Sequence, residues 1–240
     1  MFTTHRILWA TTLFLAFLAR VALTAQAPPK TVWDGAYTDA QAERAQGTFS
    51  ASCARCHTLT TEGARPLVGP QFWKFNTQKT VGDLLKFAST NMPNGVDAGS
   101  LSASSYNDLV ALILRANGFP AGPTEVAPAA VASILIIPKD GPGELPAGTL
   151  VRVVGCLAPK SGTDWTITNA TAAQRVDKPG AGADDPTRAL GERTVALKFV
   201  LSRLDPSIGK RVSVSGLLIG ADGADGINVS TVTRVADTCP

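Results

Sequence analysis

The sequence predicts a multidomain chain in which an all-α domain is followed by a small all-β domain, a five-stranded barrel. Three observations carry this. Through residue 120 the apolar residues recur at helical spacing, as in Val81, Leu84, Leu85 and Ala88, or Tyr106, Leu109, Val110, Ile113 and Leu114. Residues 121–148 are dominated by alanine, proline and glycine, the composition of a semi-rigid connector. From Leu150 onward the period drops to two, in short runs separated by turn residues such as Asp222-Gly223. A chain of 240 residues has room for two domains of ordinary size.

Residues 1–27 read as a secretory signal: His5 and Arg6 lead, Ile7 to Ala19 is almost wholly apolar, and small residues follow. Cleavage after Ala25 or Ala27 is one reading. An uncleaved membrane anchor is the other, and against it the apolar run before Arg20 falls short of the ~20 residues a span needs. The expected divisions are a signal at 1–27, a first domain at 28–120, a connector at 121–148 and a second domain at 149–240. Of 22 basic residues, Arg6 and Arg20 leave with the signal, so 20 basic side chains face 19 acidic ones. That balance lacks the basic face that a nucleic-acid partner requires. The expected location is periplasmic or exported, with no stable membrane span once the signal is removed.

In the first domain Thr38-Asp39-Ala40-Gln41 has the form of a capping box, and a helix is expected from there through Ala42, Ala45 and Phe49. It runs into Cys53-Ala54-Arg55-Cys56-His57. C-x-x-C-H is the attachment signal of a c-type haem. The two-residue gap on a helical turn brings both sulfurs to one porphyrin edge, and the imidazole that follows faces the iron. A redox dithiol accounts for the cysteines but not for His57. A zinc site needs four ligands, yet beyond the signal only Cys156 and Cys239 remain, with no second histidine.

Pro66-Leu67-Val68-Gly69-Pro70-Gln71-Phe72-Trp73 is expected as a loop that approaches something flat and wide. A metal-bound imidazole donates its other N–H to a carbonyl or carboxylate, and the Pro66 carbonyl is the candidate acceptor. Trp73 has two readings, an indole donor to a haem propionate or a core tryptophan. A helix is expected over 80–89, ending in Asn91-Met92-Pro93-Asn94-Gly95. Met92 is the only methionine beyond the signal. A lone methionine is ordinarily core filler, but a thioether opposite His is one of the usual axial pairs in cytochromes c. With no second imidazole to compete, Met92 is the candidate sixth ligand. A last helix is expected over 105–117, capped by Ser104 and crossing the first helix near Gly47.

Residues 37–125 resemble a class I (mono-haem) cytochrome c. The likeness rests on Gly47 and Phe49 before Cys53–His57, on Pro66-Leu67-Val68-Gly69 with Phe72, and on Asn91-Met92-Pro93. The closing stretch from Tyr106 to Pro120 is similar to small bacterial cytochromes c that work beside periplasmic dehydrogenases. The resemblance implies a small all-α fold around one covalent haem c, with thioether bonds at Cys53 and Cys56 and with His57 and Met92 on iron. It implies electron transfer as the work.

In the connector Ile134-Leu135-Ile136-Ile137 is too apolar to be free and is expected to lie against one domain. Beyond it, strands are expected over 151–157, 165–168, 194–200, 211–217 and 227–235, with a short helix over 201–208 and a long polar loop over 172–191. Five short strands with a helix between the third and fourth fit a barrel of OB type, and the segment resembles OB-like modules of exported bacterial proteins. Single-strand binding on such a surface needs a basic groove with stacking aromatics. Here the charges nearly balance and Trp165 and Phe199 are the only aromatics, so a structural or protein-docking role is expected. Cys156 and Cys239 open and close this half. In an oxidising compartment they form a disulfide, worth about 4–5 kcal/mol in the loop-entropy account; two free thiols are the other reading.

A haem with both axial positions filled suits outer-sphere electron transfer. The expected function is therefore an electron carrier and not an enzyme. It would receive electrons from a periplasmic dehydrogenase and pass them to a downstream acceptor such as a terminal oxidase. The alternative is a haem enzyme or gas sensor, which requires that Met92 be displaceable.

Overall fold

A computed structural model describes residues 30–161, 164–182, 186–220, 223 and 226–239. The expected signal at 1–27 lies outside the described residues. Helix α1 spans Asp39–Ser52 and begins on the capping box read from the sequence. The Gln41 N–H donates to the Thr38 hydroxyl at 3.3 Å, and the Thr38 N–H donates to the Gln41 side chain at 3.0 Å. Helices α2 (Gly69–Asn76), α3 (Val81–Asn91) and α4 (Ala103–Ala116) follow. The cap of α4 is Ser102, whose hydroxyl accepts the Ser105 N–H at 3.1 Å, two residues earlier than expected.

The crossing of α1 and α4 buries Ala42, Ala45 and Phe49 against Tyr106, Leu109, Val110, Ile113 and Leu114. A fully buried side chain such as Leu114 contributes roughly 1.5–3 kcal/mol. The crossing does not use Gly47, which is exposed and at which an added Cβ would meet nothing within 4 Å. Alanines at the crossing, not a glycine, permit the close approach. On its rim Arg44 forks onto Asp108 at 2.9 and 3.0 Å and reaches Glu125 at 2.7 Å.

Helix α2 lies where the sequence predicts a loop. Pro70 occupies its first turn, where a missing N–H costs nothing. Gly69, at φ +65°, makes the bend that starts it. Behind it Trp33, Phe72, Trp73 and Phe119 form an aromatic cluster with ring centroids 4.8–5.8 Å apart.

The expectation of an all-α domain followed by a five-stranded OB-like barrel is corrected on both counts. The first half carries strand β1 (Lys79–Thr80), paired antiparallel with β2 (Leu135–Ile136) from the connector in the register Lys79↔Ile136 and Thr80↔Leu135. The connector also forms a short helix, α5 (Pro128–Val131), and buries Val131, Ile134 and Ile136 in the first core. Among the described residues the second half holds six strands: β3 (Leu150–Ser161), β4 (Asp164–Ala170), β5 (Gln174–Arg175), β6 (Arg193–Lys198), β7 (Arg211–Ile219) and β8 (Gly226–Ala236). Their order is β4-β6-β8-β7-β3-β5, all antiparallel except β6–β8. The sixth strand, β5, comes from the stretch read as polar loop. Two-residue strands carry no periodic signal, so both β5 and the β1–β2 pair escape a reading built on alternation.

β3 is long enough to serve three neighbours: Leu150–Cys156 pairs with β7, Val151 and Arg152 with β5, and Cys156–Ser161 with β4. Its neighbours pack close at Gly155, where a Cβ would strike Ile167 and the Thr168 carbonyl. The sheet wraps one core of Val151, Val153, Leu157, Ile167, Val212 and Ile227, with Leu145 of the connector joining it. The helix expected over 201–208 is a single 3-10 turn, Asp205–Ser207, with Pro206 in its first turn. Cys156 on β3 and Cys239 near the C-terminus form a disulfide. The two halves meet where the Gln78 side chain reaches β5: it donates to the Ala173 carbonyl at 3.2 Å and accepts the Arg175 N–H at 2.9 Å.

Candidate functional site

Cys53 ends α1, its N–H donating to the Phe49 carbonyl at 2.8 Å. Its own carbonyl then accepts two donors at 3.0 Å, the N–H groups of Cys56 and His57. Cys53-Ala54-Arg55-Cys56-His57 is thus wound as one tight turn about a single oxygen. Both thiols are free; Cys53 is half-buried against the first core and Cys56 is exposed. Burial pushes the Cys53 thiol pKa up, so the neutral S–H form is held at physiological pH. That is opposite to the depressed thiol of a dithiol redox centre.

The His57 Nδ1 lies 3.0 Å from the Arg65 carbonyl. A carbonyl only accepts, so Nδ1 is the donor, which in the neutral ring leaves the lone pair on Nε2. The acceptor is therefore Arg65 and not Pro66, the residue expected. Pro66 is instead bridged to Thr58, with the Leu67 N–H on the Thr58 carbonyl at 2.9 Å, and this pairing turns the preceding carbonyl toward the ring. Arg65 takes a left-handed φ of +42° to make that turn. Thr58 pins the intervening loop from the other side through its hydroxyl, which donates to the Glu62 carbonyl at 2.8 Å.

Met92 is the C-cap of α3, half-buried, with its N–H on the Ala88 carbonyl at 3.0 Å. Its carbonyl accepts from the Tyr106 hydroxyl and from the Gly99 N–H at 3.1 Å. Tyr106 therefore holds the methionine segment from α4. The opposite end of α4 holds the segment after His57: Asn117 accepts the Gly69 N–H at 3.1 Å and donates to the Leu67 carbonyl at 3.0 Å. By spacing alone Tyr106 belongs to an apolar stripe and Asn117 ends a helix. The usable signal for Tyr106 was its hydroxyl, which needs a partner once buried.

Trp73 is half-buried, and its ring lies edge-on to Phe119 at 5.7 Å, in the aromatic cluster. Several apolar side chains lie on the first core without being covered, among them Cys53, Leu59, Leu67, Leu84, Leu85 and Leu101. On α3 only Val81 of the stripe is fully buried, and Leu84, Leu85 and Ala88 keep a half-open face. Two free thiols, an imidazole, a half-buried thioether and part-covered apolar side chains are residue types that could hold a flat apolar macrocycle with a metal at its centre. Among the described residues no cluster of three or more His, Cys, Asp or Glu could hold a metal ion by itself. None of the described helices is long and apolar enough to cross a membrane. No family model, curated protein or solved structure matches the chain.

Proposed function

We propose that the chain is an exported electron carrier with one haem c, attached at Cys53 and Cys56 and ligated by His57 and Met92. The observation that carries this reading is the tight Cys53–His57 turn, with both sulfurs free and the imidazole locked by the Arg65 carbonyl. Attachment adds each S–H across a vinyl group, so a thioether forms and no atom leaves. Haem supplies a metal that gains or loses one electron with little change in its ligands. The residues of the chain do the rest. The Nδ1–H bond to Arg65 fixes the tautomer and orients Nε2. Tyr106 and Gly99 hold Met92 in place through its carbonyl. Leu59, Leu67, Leu84 and Leu85, part-covered on the first core, would pack against the group and keep water from it. Ligation by the Met92 thioether together with the His57 imidazole would favour the reduced state.

The partners are redox proteins: a periplasmic dehydrogenase as donor and an acceptor such as a terminal oxidase. A disulfide in the second half supports export to an oxidising compartment. Visible spectroscopy tests the ligand set. The unmutated protein should be low-spin with the weak red-end band of iron–sulfur ligation. Met92→Ala should keep the covalent group, turn it high-spin and lower its potential. A high-spin unmutated protein that takes up carbon monoxide rapidly would refute the carrier and favour the enzyme or sensor.

A further inference from the structure

We infer that the second half clamps the methionine-bearing helix through β5, and that Gln78 is the positioning residue of that clamp. The inference rests on the ligand role proposed for Met92. Gln78 sits in the left-handed region at φ +60°, a conformation an unbranched non-glycine side chain adopts at a cost. The strain is matched by a purpose. Its amide behaves as a peptide unit added to the sheet edge, with Nε2 donating to the Ala173 carbonyl at 3.2 Å and Oε1 accepting the Arg175 N–H at 2.9 Å. Arg175 closes the junction from the other side, its Nε donating to the Thr77 carbonyl at 3.0 Å.

The same short segment is held by the connector. The Gln78 N–H donates to the Ile136 carbonyl and the Val81 N–H to the Ile134 carbonyl, both at 2.8 Å. Thr80 and Asp83 form the capping box of α3. Gly82 lies so close to Ala132 that a Cβ would collide with its backbone. Residues 77–82 are therefore fixed to two neighbours, and α3 leaves them without a break and ends on Met92. A hydrogen-bonded helix of eleven residues transmits displacement along its axis. What happens at Gln78 is felt at the thioether.

Gln78→Gly in the full chain tests this. Glycine adopts the same φ without strain, so folding is preserved while the amide is lost. Two hydrogen bonds removed correspond to roughly a five- to hundredfold change in an equilibrium they bias. Two readouts are expected to move by about that factor. External imidazole should bind the iron more tightly, because it competes with a less firmly held Met92. Hydrogen exchange at residues 86–99 should quicken, whether or not haem is attached. Arg175→Ala, which keeps its backbone N–H but loses the bond to Thr77, should give a smaller change in the same direction. Exchange that quickens only at 77–82, with imidazole affinity unchanged, would overturn the proposal and leave Gln78 a purely structural contact. An unmutated protein without haem would refute the ligand site instead, and exchange at 86–99 would still decide the clamp.

Discussion

The two halves of the molecule solve the problem of apolar burial differently. The β half closes its own core: Val151, Ile167, Val212 and Ile227 are all 0% exposed, and a disulfide ties its first strand to its end. The helical half leaves more of its core part-covered: among the described residues ten apolar side chains lie partly buried on it, against Trp165, Val200, Val229 and Val232 in the β half. Leu114, Ala42 and Val32 are also 0% exposed, yet Leu59, Leu67, Leu84 and Leu85 lie on that core half-covered. The uncovered residues come from the segments that also carry Cys53, His57 and Met92. One half is finished by its own side chains. In the proposed function, a haem would complete the other.

That contrast breaks most visibly if the attachment points are removed. Cys53→Ala with Cys56→Ala should abolish covalent haem entirely and lower the melting point of the helical half, leaving the β half unchanged. Differential scanning calorimetry of the full chain would show which transition moves. An equal fall in both transitions would mean that the halves are one cooperative unit.

The converse experiment is Cys156→Ser. It should liberate a thiol at Cys239, detectable by titration, and destabilise the β half by about 2–5 kcal/mol. The visible spectrum should stay as it is. Two free thiols at these positions in the unmutated, non-reduced protein would remove the disulfide altogether.

The smallest effect sharpens the comparison inside the helical half. Tyr106→Phe deletes the donor to the Met92 carbonyl while keeping the buried ring. A loss of about 1 kcal/mol in the hold on Met92 is expected, read as weakening of the red-end band at a lower temperature than in the unmutated protein. A band that melts at the same temperature would take Tyr106 out of the site.

Much of this was legible in the residues, wherever a signal was periodic or chemical. The capping box at Thr38 and Gln41 announced α1, and the stripe Val81, Leu84, Leu85 and Ala88 announced α3. Cys53, Cys56, His57 and Met92 stand out by motif, residue type and the cytochrome c resemblance, and their role is the proposal made above. What was missed has a common physical cause, dependence on a distant partner. Pro70 and Gly69 looked like loop residues until Asn117, 48 positions later, was seen to receive the Gly69 N–H. β1 has no pattern of its own and exists because β2 arrives from the connector. Arg65 rather than Pro66 faces His57 because the Thr58–Pro66 bridge sets the rotation of that peptide. No spacing rule separates two adjacent carbonyls. Likewise Gln78 became informative only once β5 was found beside it.

The central claim, that the helical half is completed by a covalently held haem, is tested most directly by mass spectrometry of the exported protein after denaturation. The account predicts an intact mass equal to the polypeptide plus one haem, with the adduct on the peptide containing Cys53 and Cys56. A bare polypeptide mass, with both of those thiols open to alkylation, would contradict it.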